Sequence, residues 1–352
     1  GMNPILVNAD RGSSWRNIGG GRTAFSLPEL AEIAAQNHHI FKELQYLSNI
    51  DYKPIRYISF AHDEETYKAL EASKAWSKAE MIAPKQFREE ISPYFNANPK
   101  KYISALVSED CWQATPGKVV DLVRNLGIAA GGTVMEDCRV LEACREGKYT
   151  SVLVQTHDKK YVEYRTEHFV NALGSGAGKL CDSMGIDAGL YPVRHQAFIT
   201  RRLPMLGKHG TNLDMLIDRQ DYKGFSAVYG QQIAYTGQII GCASPKLDAM
   251  RIDKNLKVNT KAFLEIVSEM FSEWIPDLAG VGIQAVWAGY YTEPRYIVDP
   301  ELGLFVGMRG HGFMLSQYIA RMYVDKLLGR PVPEYFEKLK LNGPGLSEKA
   351  FK

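Results

Sequence analysis

Apolar positions recur at helical spacing in three stretches of the chain. In residues 28–47, PELAEIAAQNHHIFKEL places Leu30, Ile33, Phe41 and Leu44 on one face and predicts an amphipathic helix. TKAFLEIVSEMFSEW (260–274) repeats apolar residues at i, i+3, i+4 and i+7 and predicts a second. ELGLFVGMRGHGFMLSQYIARMYVDKLLG (301–329) reads as a strand, a glycine-rich turn and a long amphipathic helix. Shorter apolar runs predict strands at PILVNAD and at IRYISF (55–60), and a strand pair at SVLVQTH with YVEYRTEHFVNA. GFSAVYGQQIAYTGQIIGCAS (224–244) suggests a hairpin or meander. A charged helix is expected around EETYKALEASKAWSKAE, and helix, loop and strand along GKVVDLVRNLGIAAGGTVMEDCRVLEA. No internal repeat or low-complexity tract interrupts this pattern, which is that of an α/β (α+β) protein.

Composition narrows the class. At 352 residues the chain can hold two domains, each with its own core. A hydrophobic fraction of 45% and a charged fraction of 23% are ordinary for a globular protein. A net charge of +2 gives no reason to expect nucleic acid or an anionic membrane as partner. No apolar run approaches the ~18 residues of a membrane span, and no signal-peptide pattern opens the chain. The five cysteines (Cys111, Cys138, Cys144, Cys181, Cys242) form no CxxC and read as reduced thiols, not as a disulfide framework or zinc site. A cytoplasmic protein without a metal is the expectation.

Three glycine-rich stretches carry the candidate chemistry. VNALGSGAGKLCDSMGI (170–186) spaces Gly174, Gly176, Gly178 and Lys179 closely after the β-rich segment EHFVNALG. A phosphate-cradling P-loop fails here, because Leu173 stands where its first glycine belongs and Leu180 where its hydroxyl belongs. A dinucleotide fingerprint fails as well, with Lys179 at its third glycine. A close backbone approach to a ligand, or a tight strand-to-helix turn without one, both remain. GSSWRNIGGGR (12–22) places three consecutive glycines between arginines after PILVNAD, exposing backbone N–H groups suited to a pyrophosphate or an electron-rich ring. Gly310 and Gly312 sit where the long C-terminal helix begins, and its positive dipole end favours negative charge by about 0.3–1 kcal/mol.

With these segments in this order, the chain resembles the FAD-dependent amine and amino-acid oxidoreductases, the superfamily of D-amino-acid oxidase, glycine oxidase, sarcosine oxidase and proline dehydrogenase. GSSWRNIGGGR is similar to the family's loop over the flavin. FVNALGSGAGKLCDSMGIDAGLYPVRHQAF is similar to its VNAAGAWS…LGI…PVRGQ segment, and WAGYYTEPRYIVD…GLFVGMRGHGFML to its G…TPD…PIIG…GHSGHGF ending. The resemblance runs from about residue 5 to residue 330. It implies a discontinuous Rossmann-like FAD domain from residues 1–50, 110–185 and 285–330, and a β-rich substrate domain from 51–109 and 190–284. Residues 331–352 would form a peripheral tail.

The implied chemistry is oxidation of a C–N bond in a small amine or amino acid, of the sarcosine, glycine or proline class, with hydride passing to FAD. By this resemblance Asp10, Ser13, Ser14, Arg16, Asn17, Gly20 and Gly21 would contact the cofactor near the first strand. Val140, Ala172, Gly174 and Gly289 would do so mid-chain, and Arg309, Gly310, His311, Gly312, Phe313 and Met314 at the C-terminal turn. Arg22, Arg295 and Arg309 are candidates for clamping a substrate carboxylate, since a guanidinium fork matches it bidentately; loop salt bridges are the alternative. Tyr290 and Tyr291 stand where some relatives carry an arginine, and Tyr291 is a candidate substrate contact. His311 is a candidate site residue that could equally be structural. His195 reads equally well as a site residue or as a linker residue between the domains, and the His38–His39 pair as solvated on a helix surface.

Ala288-Gly289 occupies the region where some relatives attach flavin through cysteine, so a non-covalent FAD is implied. Met314 stands where oxygen-using relatives carry lysine, which favours a dehydrogenase and leaves the electron acceptor open. Relatives begin with a strand, a GxGxxG turn and a helix, whereas PILVNAD matches their second strand. In the doubly wound order the first strand is central and the pyrophosphate rests on the helix after it. The expectation is therefore a truncated form, or a gap filled by another segment or a partner subunit, in which FAD binds weakly or not at all. A truncated or degenerate flavoprotein subunit without activity of its own is the alternative to an enzyme.

Overall fold

The computed structural model describes residues 4–8, 12–203, 213–219, 225–245 and 260–348. The first half runs β1 (Ile5–Asn8), α1 (Gly12–Arg16), β2 (Gly20–Gly21), α2 (Pro28–Leu47), β3 (Lys53–Ala61), α3 (Glu64–Ala72), β4 (Ala79–Ile82), α4 (Phe87–Glu90), β5 (Ser104–Gln113) and α5 (Pro116–Ala129). Then follow β6 (Thr133–Glu136), β7 (Arg139–Glu146), β8 (Tyr149–Gln155), β9 (Tyr161–Thr166), α6 (Ala177–Ser183) and β10 (Tyr191–Arg202). The last part comprises β11 (Met215–Asp218), β12 (Phe225–Gln232), β13 (Gln238–Pro245), α7 (Thr260–Trp274), β14 (Ile283–Glu293), β15 (Ile297–Asp299), β16 (Leu304–Val306) and α8 (Gly312–Leu327).

The helices predicted from periodicity form and bury the predicted faces. α2 begins with Pro28 at its first position, where a missing N–H costs nothing, and buries Leu30, Ile33, Phe41 and Leu44. They pack with Phe313, Leu315, Ile319 and Met322 of α8 in one apolar cluster. Buried Asn37 links the two helices: its amide nitrogen donates to the Met314 carbonyl at 2.5 Å and its oxygen accepts from the Tyr318 N–H at 2.7 Å. A buried amide with both ends satisfied costs little and fixes the register of α2 against the start of α8. α7 buries Phe263, Ile266, Val267, Met270, Phe271 and Trp274 in a second cluster with strands β3, β5, β10, β12 and β13.

Nine strands make the main sheet, in the order β14-β10-β13-β12-β11-β3-β5-β2, with β4 also pairing to β5. β3 and β11 run parallel; the other pairs are antiparallel. The expected meander at 224–244 is the antiparallel pair β12 and β13, with residue 224 outside the described residues. β7, β8 and β9 form a separate antiparallel sheet, β15 and β16 a small hairpin, and β1 runs parallel to β6. β1 pairs with no other described strand, and Ile5 and Leu6 are each 51% exposed.

Two elements differ from expectation. EHFVNALG is not a strand: β9 ends at Thr166, and only Asn171 forms an isolated parallel bridge, to Leu304. The Asn171 side chain donates to Ala177 O at 3.0 Å and accepts from Leu173 N at 3.2 Å, and this local turn chemistry displaces the ladder. The charged helix stops at Ala72 and a 3-10 turn covers Ser73–Trp76. Beyond it, Ala79–Ile82 goes into β4, because pairing with β5 buries Ile82.

Candidate functional site

The site is built where β2, the β11 end, β12, β14 and the turn before α8 converge. β2 is short because Gly20 and Gly21 let aromatic side chains lie directly on the backbone. A Cβ on Gly20 would collide with the Tyr57 hydroxyl and one on Gly21 with the Trp112 ring. Protein rings thus fill the Cβ side of these two glycines. Beyond β2 the chain turns at Arg22, which is 4% exposed; its guanidinium donates to the Ala24 carbonyl and lies 3.9 Å over the Phe25 ring. Burial lowers the Arg22 pKa, while Glu348 pulls the other way.

The turn before α8 brings His311 to Arg22. Arg22 Nη2 stands 3.5 Å from His311 Nε2, and the Tyr296 hydroxyl meets His311 Nδ1. An arginine only donates, so Nε2 is the accepting nitrogen and Nδ1 carries the proton. Burial, followed by Arg22, Arg309 and Arg219, holds the His311 pKa well below its ordinary value, so the ring is neutral. With both nitrogens engaged, His311 orders its neighbours and has no lone pair free to act as a base. Phe25 packs edge-on against the same ring at 5.6 Å.

Gly310 lies under Tyr291, whose ring a Cβ at that position would strike. The Tyr291 hydroxyl meets that of Tyr229 at 2.9 Å, and its ring stacks on His195 at 3.6 Å. His195 sits within β10 opposite Gly289 and is buried, which corrects its reading as a linker residue. Burial drives its pKa down to about 3. Burial likewise raises the phenols of Tyr57, Tyr229, Tyr291 and Tyr296, so all four are un-ionised hydrogen-bonding groups at neutral pH.

Arg309 has φ of +50° and its Nε donates to Glu293 Oε2 at 2.7 Å, so its charge is balanced within the site wall. Arg219, which sequence reading missed, follows β11 directly. Burial first and Arg22 second lower its pKa to about 9, which leaves it cationic. The residue before it explains its placement. Asp218 is fully buried and accepts from Tyr102 OH at 3.3 Å; His62 Nε2 is 2.7 Å and Lys101 Nζ 3.8 Å away. Arg219, the next residue, comes within electrostatic reach of Arg22 and Glu348.

The remaining predicted residues divide sharply. Ser13 is tied to β14 through Tyr290: its hydroxyl donates to Tyr290 O at 2.6 Å and accepts from Tyr290 N at 3.1 Å. Arg16 O accepts from Trp287 Nε1 at 2.7 Å, the Ser14 carbonyl accepts from Asn17 Nδ2 at 2.5 Å, and Asn17 Oδ1 accepts from Gly19 N at 2.7 Å. These bonds hold α1 and the loop after it against β14, beside Gly289, with Ser13 Oγ 3.7 Å from where a Gly289 Cβ would stand. Gly312 opens α8, while Phe313 and Met314 turn into the α2–α8 core. Val140 packs beside β8 and α6, and Ala172 and Gly174 lie exposed in the turn before α6.

Arg295 is not brought to the cluster. Its guanidinium donates to the Leu341 carbonyl, and to the Gly343 carbonyl at 3.2 Å, clamping the C-terminal tail. Asp10 lies outside the described residues. His38 is a further correction: it is buried, stacked on Trp112 at 4.7 Å with its Nε2 2.7 Å from Tyr52 OH, and only His39 is exposed.

The donor set is all guanidinium and phenol around a neutral imidazole, which complements carboxylate oxygens and an electron-rich ring. At this ring end the residues present fit a flavin. Ala288 and Gly289 carry no nucleophile for a covalent link. Among the described residues no group of three or more His, Cys, Asp or Glu is arranged to hold a metal, and no helix is long and apolar enough to cross a membrane.

Comparison with known proteins agrees with this geometry. The fold is similar to that of L-proline dehydrogenase from P. horikoshii, at TM-score 0.80 and 20% identity, over 97% of each chain. It is also similar to glycine oxidase from Bacillus cereus, at TM-score 0.73 and 18% identity, covering 95% of this chain and 93% of that one. A third similar structure is the FAD-bound L-alpha-glycerophosphate oxidase from Mycoplasma pneumoniae, at TM-score 0.71 and 16% identity, covering 92% and 88%. None of the curated proteins compared matches the chain. Residues 1–326 match the family described as FAD dependent oxidoreductase (DAO), and the chain belongs to that family, whose cofactor is FAD.

Proposed function

We propose that the chain oxidises a C–N bond of a small amino acid of the sarcosine, glycine or proline class. The observation that carries this reading is the buried Arg22 guanidinium, 3.5 Å from the neutral His311 ring, with Arg219 within electrostatic reach of it. A substrate carboxylate fits, because it can take charge-assisted hydrogen bonds from both forks. L-proline dehydrogenase and glycine oxidase among the similar structures act on molecules of this class, as their names state.

FAD, when bound, would supply the hydride acceptor. The loop Ser13–Gly21 and the turn Gly310–Gly312 would hold its ring. The protein's part is orientation. Arg22 and Arg219 fix the carboxylate, Tyr291 and Tyr229 offer a linked pair of hydroxyls toward the substrate, and the aromatic wall of Phe25, Tyr57 and Tyr291 keeps water out. Met314 lies in the helix core, so no ammonium group reaches the ring from that position, consistent with a dehydrogenase.

The test is anaerobic addition of sarcosine, proline and glycine to the protein incubated with FAD, followed through the visible flavin band. Bleaching by one of them, lost in Arg219→Met, supports the reading. A flavin that stays oxidised with all three, while bound, would overturn it. A second reading, a subunit inactive by itself, is supported by the one-sided pairing of β1 and by the exposed Val123, Leu126 and Ile128 of α5. In that case the protein would remain colourless after incubation with FAD.

A further inference from the structure

Tyr296 is buried and packs in the α2–α8 cluster with Val298, Phe313 and Leu315. It directly precedes β15 and directly follows Arg295, whose grip on the Leu341 and Gly343 carbonyls fastens the chain at this point. From that apolar packing its hydroxyl meets His311 Nδ1.

His311 is held as firmly through its backbone. Its N–H donates to the Met308 carbonyl at 3.0 Å, and its own carbonyl accepts from Met314 N at 3.1 Å and Leu315 N at 3.0 Å as α8 begins. These bonds fix where the imidazole stands. They do not fix which ring nitrogen carries the proton, a choice set by what each nitrogen meets.

That choice bears on Arg22. Its Nη1 donates to the Ala24 carbonyl, its guanidinium lies over Phe25, and its Nη2 faces His311 Nε2 at 3.5 Å. With the proton on Nδ1, Nε2 turns a lone pair to Nη2. With the proton on Nε2, two N–H donors oppose each other in a desolvated place, where such a clash is poorly screened. A phenol oxygen can accept as well as donate, so the Tyr296 hydroxyl takes the Nδ1–H bond and makes the first arrangement the satisfied one. Phenylalanine at this position would leave that N–H buried without its acceptor, and the form with Nε2–H against Arg22 would become populated.

We infer that Tyr296 is a positioning residue: it holds His311 in the Nδ1–H tautomer, and His311 in turn holds the Arg22 fork in the orientation that takes the substrate carboxylate. This rests on the proposal that Arg22 receives that carboxylate.

The test has two readouts, both on the full chain incubated with FAD. Nitrogen NMR of the isotope-labelled histidines, with the His311 signals identified by their loss in His311→Phe, should show a protonated Nδ1 and a bare Nε2 in the wild type, and Nε2–H in Tyr296→Phe. Calorimetric titration with pyrrole-2-carboxylate should show binding about 3- to 10-fold weaker in Tyr296→Phe, the worth of one hydrogen bond. A residue that acts through His311 loses its effect once His311 is gone. In the His311→Phe background, Tyr296→Phe should therefore change the affinity by less than about twofold. A general loss of packing would appear in both backgrounds. Nε2–H in the wild type, unchanged affinity in Tyr296→Phe, or equal losses in the two backgrounds overturns the inference while the carboxylate reading of Arg22 stands. If the wild type does not bind the probe, or Arg22→Met binds it as well, that reading falls and this inference with it. Should Tyr296→Phe not fold, the wild-type tautomer and the affinity of His311→Phe decide in its place, the latter expected to be about 3- to 10-fold weaker and overturning the inference if unchanged.

Discussion

Replacing His195 by phenylalanine should make the protein less sensitive to acid, by an amount the structure sets. The His195 ring is buried in β10 and stacks on Tyr291 at 3.6 Å, and its Nδ1 is buried with no hydrogen-bond partner. An unfolded chain protonates histidine near 6.5. In the folded protein burial pushes His195 down to about 3, so the native state refuses the proton. For a histidine whose folded pKa is depressed, stability is complete above the unfolded pKa and is lost as pH falls below it. Between pH 7 and pH 6 the loss is about 0.7 kcal/mol, and between pH 7 and pH 5 about 2 kcal/mol. Phenylalanine keeps the stack on Tyr291 and does not titrate. Any fixed cost of fitting its ring is the same at every pH and cancels. The assay is urea unfolding of wild type and His195→Phe at pH 7, 6 and 5, followed by far-UV circular dichroism. His38 and His311 also stay neutral but are present in both proteins, so their contributions cancel too. The wild type should lose about 2 kcal/mol more than the variant between pH 7 and 5. Parallel losses would show that His195 takes up a proton in the folded state, and the buried, neutral wall behind Tyr291 would be wrong.

Gly310→Ala would drive a Cβ into the Tyr291 ring; a destabilisation of about 1–3 kcal/mol is expected, read as a lowered urea midpoint. Asp218→Asn removes the carboxylate shared by His62, Tyr102 and Lys101 and should cost about 3–5 kcal/mol by the same measurement. Burial opposes charge on His62, but Asp218 and the Lys101 carbonyl outweigh it and raise its pKa. The gap between wild type and Asp218→Asn should therefore be full below about pH 6.5 and shrink as pH rises through the raised value. Arg219→Met should weaken binding of pyrrole-2-carboxylate by about 10- to 150-fold in calorimetry, the worth of one charged hydrogen-bonding group. A variant with wild-type affinity would remove Arg219 from the site.

The helices were the most legible part of the sequence, because a buried stripe at the 3.6-residue period is a local signal. Leu30, Ile33, Phe41 and Leu44 pack as that stripe requires. The same period puts His38 four residues after Ala34 and three before Phe41, on the buried face. Only its polar side chain disguised this, since it depends on Trp112 and Tyr52 from elsewhere in the chain. Asn171 shows the opposite error, a strand assigned by apolar neighbours and cancelled by one side chain that bonds its own turn.

The site itself was half legible, and strand alternation explains which half. Arg22 and His311 sit in glycine-rich turns, where backbone chemistry marks the place. Arg219 and Tyr296 do not; each is one of two adjacent polar residues in extended chain, and adjacent side chains point to opposite sides. In Asp218-Arg219 the first residue faces His62 and Tyr102, and the second comes within electrostatic reach of Arg22 and Glu348. In Arg295-Tyr296 the first clamps the tail and the second meets His311. Of these four residues the sequence singled out Arg295 alone, and the structure sets it on the tail carbonyls. The choice is made by sheet order, which sets β11 between β12 and β3, and by the tail, which covers the far side of Arg295. The tail thus occupies one candidate arginine and brings the buried Glu348 carboxylate to Ser26, in the turn that follows Arg22.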